Sequence, residues 1–322
     1  MNGMRRSIRR WKLGMLAAVL LLIVGFAPSA SAGIRANGRI VFVRARCSDT
    51  ACQWRIVTAT PRDQDEHVLA TFADGVFDDH FIVNPSPDGR RLAFMANQKI
   101  WIMNSDGSDL HVVFAPPTDG TGVDDGPSFT PDGQHLVFTR CCPKGYGYSL
   151  WMISIHGTHL RDITREPFQH GNGPADTTPQ VSPDGRRVVF NRCFSNTPCA
   201  IAVADIHTGR IHNLTNPTLD SQQPNWSPDG NRIVFEYDPR GGMINIAVIN
   251  RWGRHLHKLT SDNSAANFDA AYSPDGRWII FSHYPGSADT LDLYAMRPDG
   301  THRRTITQTP RLHELEPKWM AR

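Results

Sequence analysis

The stretch WSPDG, at Trp226–Gly230, is repeated with small changes at four other places in the chain. The near-copies occupy Pro85–Gly89, Phe129–Gly133, Val181–Gly185 and Tyr272–Gly276, so the five final glycines follow one another at intervals of 44, 52, 45 and 46 residues. In Ser/Thr-Pro-Asp-Gly, proline sets φ near about −65° at the second turn position and glycine accepts positive φ at the fourth. Each copy therefore predicts a tight reversal between two strands.

Each turn is followed by an apolar run that ends in phenylalanine. The runs are RRLAF to Phe94, QHLVF to Phe138, RRVVF to Phe190, NRIVF to Phe235 and RWIIF to Phe281. They are apolar on both faces of a strand, as expected for a sheet packed between two others. A variable loop, a third strand, a glycine turn and a short fourth strand follow. Four antiparallel strands in about 45 residues are typical of a propeller blade.

The two ends of the chain supply complementary parts of one further repeat. NGRIVF, at Asn37–Phe42, matches the second strand but has no first strand before it. EPKWM, at Glu316–Met320, matches QPNWS at Gln223–Ser227, which belongs to a first strand. The sequence therefore predicts an all-β, six-bladed propeller of four-stranded antiparallel blades, with the ring closed by the C-terminal strand so that no sheet edge is left exposed.

The repeat, PxWSPDG followed by an apolar run and DGxxxxLT, resembles that of the TolB-type β-propeller family over residues 37–320. The resemblance implies a propeller in the periplasm or outside the cell that usually engages in protein binding. The chain departs from TolB itself, whose α/β domain between signal and propeller has no counterpart here.

The first 32 residues have the composition of a signal peptide. Five basic residues precede the apolar run Leu13–Phe26, and APSASAG supplies small residues for cleavage after Ala32. The run of 14 residues is short for a membrane span of about 20, although an uncleaved anchor is the alternative. We expect 1–32 to be the signal and 33–322 the propeller, with no other membrane segment.

Charge and cysteine content bear on partners and compartment. Without the signal the chain has 29 basic and 31 acidic residues, and no basic cluster indicates nucleic-acid binding. Six cysteines in an exported chain suggest disulfides. Cys47 with Cys52, and Cys193 with Cys199, each flank a loop between second and third strands, so we predict both bonds. Cys141 and Cys142 are adjacent, and they could remain thiols or pair elsewhere.

Strand alternation places the glycine turns on one face of the propeller and the variable loops on the other. Loops on a rigid scaffold commonly carry function, so we expect binding on the loop side. Acidic residues precede each first strand and could form a negative ring, or they could simply cap turns. The predicted partner-binding residues are Asp79, Asp125, Tyr146, Tyr148, Asp176, Asp220 and Asp269.

Histidines in the same loops raise a weaker metal hypothesis. The candidate ligands are Asp79, His80, His170, Asp176 and Glu316, which suit a divalent cation such as calcium. No compact ligand spacing supports the site, and the 14 histidines of the chain make chance proximity easy. Our expectation is that no cofactor is bound.

No recognised catalytic motif occurs in the sequence. There is no G-x-S-x-G, no G-x-x-x-x-G-K-[ST], no H-E-x-x-H and no paired C-x-x-C. The leading interpretation is a non-catalytic, periplasmic or secreted monomer that binds a protein or peptide, such as a cell-envelope component, through a loop-rich acidic face. The alternative is a metal-assisted lyase or a hydrolase with its site at the channel mouth.

Overall fold

Short antiparallel strands follow one another as the repeat predicts. The computed structural model describes residues 38–48, 51–61, 65–73, 81–117, 122–141, 147–164, 174–194, 197–238, 242–286 and 290–321, all within the compact unit Ile34–Arg322. The predicted signal, 1–32, lies outside these ranges. Within them, no helix is long and apolar enough to cross a membrane.

The first two sheets come from the amino-terminal third of the chain, apart from one strand. Sheet 1 contains β1 (Ile40–Cys47), β2 (Cys52–Ala59) and β3 (His67–Phe72). Its fourth member is the last strand of the chain, β24 (His313–Trp319), which pairs antiparallel with β1. Sheet 2 contains β4 (Val83–Pro85), β5 (Arg91–Ala96), β6 (Lys99–Asn104) and β7 (His111–Phe114).

The middle of the chain forms a larger sheet. Sheet 3 contains β8 (Val123–Phe129), β9 (His135–Cys141), β10 (Tyr148–Ser154), β11 (Arg161–Asp162), β12 (Ala175–Val181), β13 (Arg187–Cys193), β14 (Ala200–Asp205) and β15 (Ile211–Asn213).

The remaining strands form two sheets of four. Sheet 4 contains β16 (Ser221–Trp226), β17 (Arg232–Tyr237), β18 (Asn245–Asn250) and β19 (His257–Lys258), after one turn of 3-10 helix at Pro217–Leu219. Sheet 5 contains β20 (Ala266–Tyr272), β21 (Ile279–Tyr284), β22 (Asp292–Met296) and β23 (Arg304–Thr305).

The six-bladed expectation is wrong. The described residues form four four-stranded blades in a ring, and sheet 3 is one continuous eight-stranded sheet where two separate blades were expected. The joint is a parallel pairing of Tyr148 in β10 with Ala175 in β12, where the Tyr148 amide donates to the Pro174 carbonyl at 3.3 Å. The repeat could not predict this single bridge, because Tyr148 lies in a loop insertion and Ala175 in a linking segment.

The apolar cores lie between neighbouring sheets and explain why the second strands are apolar on both faces. In β1, Ile40 and Phe42 pack with Trp319 and sheet 5, whereas Val41 and Val43 pack against sheet 2. The phenylalanines that end these runs are fully buried, namely Phe42, Phe94, Phe138, Phe190, Phe235 and Phe281. Each sheet thus depends on both of its neighbours for burial.

The Pro-Asp-Gly turns share one hydrogen-bond pattern. In the turn after β16, the Ser227 hydroxyl donates to Asp229 at 2.5 Å, and the Asp229 carboxylate accepts from the Asn231 amide at 3.0 Å. The serine hydrogen bond lowers the pKa of Asp229 below its ordinary value. These turns and the glycine turns between third and fourth strands lie at the same ends of the strands, which we call the turn face. The opposite ends form the loop face.

Candidate functional site

The predicted partner-binding residues do not gather into an exposed acidic surface. Asp79 and Tyr146 lie outside the described residues, as does the side chain of Asp125. Asp176 and Asp269 are only 1% and 6% exposed. The other two are half-buried: Asp220 accepts from the Cys199 amide at 3.0 Å, and Tyr148 begins β10. Asp176, Asp220 and Asp269 are therefore buried or half-buried within the fold.

Only two of the five metal candidates, Asp176 and Glu316, belong to the described residues. Asp79, His80 and His170 lie outside the described residues. Asp176 and Glu316 lie in different sheets. Across the described ranges, no group of three or more His, Cys, Asp or Glu side chains could hold a metal ion.

Strands β12, β16, β20 and β24 each carry an irregular residue that interrupts the regular antiparallel pairing. The pairing register shifts there, and the backbone turns to positive φ at Thr178, Gln223, Asp269 and Glu316, with values of 52°, 51°, 58° and 53°. Positive φ is costly for residues other than glycine and persists only where the surroundings enforce it.

A side-chain oxygen of the preceding sheet holds this residue at three consecutive interfaces. Asn191 accepts from the Gln223 amide at 2.9 Å, and Glu236 accepts from the Asp269 amide at 2.9 Å. Asp269 in turn accepts from the Glu316 amide at 3.1 Å and from a serine hydroxyl of its own sheet. The irregular strand leaves each of these backbone N–H groups without a partner in its own sheet. A carboxylate or side-chain amide oxygen of the preceding sheet accepts the hydrogen bond and so satisfies a buried donor.

Gln223, Glu236, Asp269, Glu316 and Lys318 form what we call the inner polar cluster. The Gln223 amide group donates to Glu316 at 3.4 Å, although sheet 5 lies between the sheets that carry these residues. The Lys318 ammonium lies 3.6 Å from the other Glu316 oxygen. Glu236, Asp269, Glu316 and Lys318 are all at least nine-tenths buried, so the cluster is a polar part of the protein interior.

An arginine–carboxylate network ties the ring closure together near the loop face. Arg44 in β1 donates from Nε to Glu314 of β24 at 2.9 Å and from Nη1 to Glu66 at 2.7 Å. Glu314 is 0% exposed, and burial raises its pKa even though the Arg44 charge opposes the shift. The Arg44 guanidinium is therefore the counter-charge for a buried carboxylate.

A second polar group, which we call the His283 cluster, lies where β20 begins and β21 ends. Arg303 donates to Asp262 at 2.7 Å, to the Asn267 side-chain oxygen at 2.7 Å and to His283 Nδ1 at 2.6 Å. The Asn267 side chain donates to Asp262 at 2.8 Å. His283 Nδ1 also lies 2.9 Å from the Asn267 side-chain oxygen, so a donor and an acceptor share this nitrogen.

His283 predicts a specific acid sensitivity. Burial and the Arg303 charge lower its pKa to about 4, against opposition from Asp262. Between about pH 6.5 and pH 4 this histidine is protonated in the unfolded chain and neutral in the folded chain. The free energy of unfolding therefore falls as the pH falls through this range. Between pH 7 and pH 4, His283→Gln should therefore lose about 1–2 kcal/mol less unfolding free energy than the parent, a figure reduced to allow for solvent screening. Chemical denaturation at pH 7 and pH 4 measures it.

The control for this experiment is His257→Gln, at an exposed histidine of β19. It should leave the pH dependence of the parent unchanged. Equal slopes for the two variants would contradict the assignment to His283.

The structure contains both predicted disulfides, Cys47–Cys52 and Cys193–Cys199. Each closes a loop at the loop face, and together they indicate an oxidising compartment. Cys141 ends β9, and Cys142 lies outside the described residues.

Sequence reasoning missed two features of this face. Phe194, inside the second disulfide loop, is 39% exposed, and the Arg192 guanidinium lies 5.5 Å from its ring centre. The arginines that follow the buried phenylalanine by two positions, at Arg44, Arg140 and Arg192, are a repeated signal that could have revealed the internal ion pairs. Arg192, for example, lies 3.7 Å from the Asp176 carboxylate.

Comparisons with known proteins agree with the repeat. A family model described as the TolB beta propeller domain matches residues 174–322. Among curated proteins, the uncharacterized peptidase YuxL of Bacillus subtilis (strain 168) is 24% identical over 208 residues, which are 61% of this chain and 28% of that protein. The chain thus spans little more than a quarter of the length of that relative.

Solved structures share the architecture. TolB of Acinetobacter baumannii is 19% identical with a TM-score of 0.70, covering 90% of this chain and 68% of that chain. An oligogalacturonate lyase in complex with manganese is 14% identical with a TM-score of 0.53, covering 85% of this chain and 75% of that chain. A nidogen/laminin complex is 8% identical with a TM-score of 0.59, covering 86% of this chain and 98% of that chain. At these identities the likeness concerns the fold, and the family model identifies the TolB-type β-propeller repeat within residues 174–322.

Proposed function

We propose that the protein is an exported, non-catalytic propeller of the periplasm or cell exterior that binds a protein or peptide through its loop face. The observation that carries this proposal is Phe194, an exposed aromatic side chain inside a loop that the Cys193–Cys199 disulfide closes. The TolB structure and the nidogen/laminin complex, which share the fold, add support for a protein partner.

The physical case rests on preorganisation. A short disulfide loop loses little conformational freedom when a partner binds, and aromatic anchors beside arginine are frequent in binding hot spots. Phe194 stands beside Arg192, whose own position is fixed by the buried Asp176. Arg192 is itself only 6% exposed, so it supports the ring from below and the loop presents an apolar side chain to the partner. An apolar side chain of the partner suits this surface.

Substitution tests the face directly. Partners are first captured by cross-linking in the cell envelope, then purified, and the dissociation constant is measured with the parent and with variants. Phe194→Ala should weaken binding by about 2 kcal/mol, or roughly thirtyfold. Trp252→Ala is the matched control, because Trp252 is 60% exposed but lies in a glycine turn on the opposite face. A partner whose affinity falls with Trp252→Ala and not with Phe194→Ala would refute the proposal.

The His283 cluster favours a second candidate, an enzyme. It joins a neutral imidazole, a guanidinium and a carboxylate near the loop face, and an oligogalacturonate lyase shares the fold. The test is release of unsaturated uronides from oligogalacturonate, with and without manganese, by the parent and His283→Gln. Turnover that this variant loses while remaining folded would favour the enzyme.

A further inference from the structure

A shallow recess on the turn face, between sheets 4 and 5, is lined by an unusual set of cations. Its volume is about 410 Å³, and its lining residues are Arg232, Arg277, Arg297, Pro298, Asp299, Thr301 and His302. Arg232 begins β17, Arg277 ends the Pro-Asp-Gly turn of sheet 5, and Arg297 begins the glycine turn of the same sheet. Three turns from two sheets thus bring three guanidinium groups to one place.

Positive charge exceeds negative charge in the recess, because three guanidinium groups and one carboxylate, that of Asp299, line it. Asp299 accepts from the amide and the hydroxyl of Thr301 at 2.9 and 2.7 Å. Outside the lining, Asp229 accepts from Ser227 and Asn231, and the Arg232 charge also helps to lower its pKa. Within the described ranges, neither Arg232 nor Arg277 nor Arg297 makes an ion pair within 4.0 Å.

Parts of the recess are preorganised. The Arg297 guanidinium lies 4.2 Å from the ring centre of Trp278, which is 1% exposed, and donates to the Arg277 carbonyl at 3.3 Å. Burial raises the pKa of the Tyr272 phenol, on which the Arg232 and Asp229 charges act in opposite directions. An arginine fixed in this way loses less side-chain entropy when it binds a ligand.

The corresponding recess one sheet earlier is balanced. It lies between sheets 3 and 4, measures about 280 Å³, and carries Arg187 and Arg251 against Asp184 and Asp229. Arg187 occupies the repeat position of Arg232, two residues after the turn glycine. The excess of cations is thus a property of the sheet 4–sheet 5 junction and not of the repeat.

We propose that this recess binds a small molecule through its phosphoryl groups. A guanidinium fork matches two oxygens of an oxyanion, and a tetrahedral phosphoryl group offers three, so several arginines can hold it together. A volume of about 410 Å³ falls within the range of about 300–1,000 Å³ found for small-molecule sites, larger than a single phosphate requires. Pyrophosphate, with about three negative charges, is the simplest probe of this chemistry.

Calorimetric titration of the full chain with pyrophosphate at constant ionic strength tests the proposal. The parent should give saturable binding, and the double variant Arg232→Gln/Arg277→Gln should weaken it about tenfold or more for each arginine lost. Both side chains are exposed, so the variant should fold, and an unchanged melting temperature without ligand checks this. The matched control, Arg187→Gln in the balanced recess, should bind as the parent does.

Two results of the titration would overturn the proposed site, and a third would overturn its assignment to phosphate. Equal affinity in the double variant, or no saturable binding to the parent, overturns the site. Citrate separates phosphoryl from carboxylate chemistry, because equal affinity for citrate would overturn the assignment to phosphate. Vesicles of phosphatidylglycerol, tested by flotation with the same variants, distinguish a lipid phosphate from a soluble one. The recess does not include Phe194, so the result of this experiment is independent of whether a partner binds at the loop face.

Discussion

A chain that ends before His313 is expected not to fold. It lacks β24, which supplies the first strand of sheet 1 and places Trp319 and Met320 in the cores on either side of it, where they are 5% and 4% exposed. Losing a buried tryptophan alone costs about 3–5 kcal/mol, against a total stability of about 5–15 kcal/mol for a typical protein. Circular dichroism and denaturant titration should show no cooperative transition.

A rearranged chain is the control for that experiment. Ile40 pairs with Trp319, and the Met320 amide donates to the Arg39 carbonyl at 2.8 Å, so the two chain ends are neighbours. Residues 313–321 can therefore be placed ahead of residue 38 through a short turn, with the strand removed from its original position. This permutant should regain the cooperative transition. If the truncated chain unfolds as cooperatively and at the same denaturant concentration as the parent, β24 does not have the role given to it.

Arg44→Met is expected to destabilise the protein by about 3–5 kcal/mol at pH 7, because it leaves the Glu314 carboxylate buried without its counter-charge. Glu314 is 0% exposed, and its pKa is already raised by burial. A carboxylate with a raised folded pKa binds a proton more readily in the folded state. Its penalty is therefore present above that pKa and is relieved as the pH falls towards the ordinary value.

The sign of this linkage gives the variant a signature beyond simple loss of packing. Arg44→Met should be most stable at a lower pH than the parent, and Arg44→Met/Glu314→Gln should lose that shift and recover part of the stability. Denaturant titration of the parent, both single variants and the double variant forms the cycle. An unshifted pH optimum in Arg44→Met would show that the guanidinium does not compensate Glu314.

The repeats made the turns and strand pairs of this protein predictable. The buried polar contacts were not predictable, because the residues that make them vary from one repeat to the next. Ser-Pro-Asp-Gly specifies a turn through local chemistry, so five copies indicated the strand pairs and the two faces. The bridge between Tyr148 and Ala175, which merges two expected blades, depends on how two long connections meet and has no local signal. Turn chemistry is local, whereas sheet boundaries are set by contacts between distant segments.

The site was harder to predict for a related reason. Acidic residues before each first strand were expected to form a negative ring at one mouth or to cap turns. In the structure Asp269 and Glu316 are buried at strand irregularities with positive φ, where the Glu316 amide donates to Asp269. Phe194 escaped notice because one aromatic residue in a variable loop has no repeat position with which to compare it.

The pairing of β1 with β24 has a consequence for the order of folding. Arg44 and its partner Glu314 are 270 residues apart, so the contact that closes sheet 1 is among the last to form during synthesis. Until then β1 presents an open hydrogen-bonding edge to other chains, and contacts of such high sequence separation form slowly. The nascent protein therefore passes through a vulnerable interval in which a chaperone that covers β1 would raise the yield of native molecules.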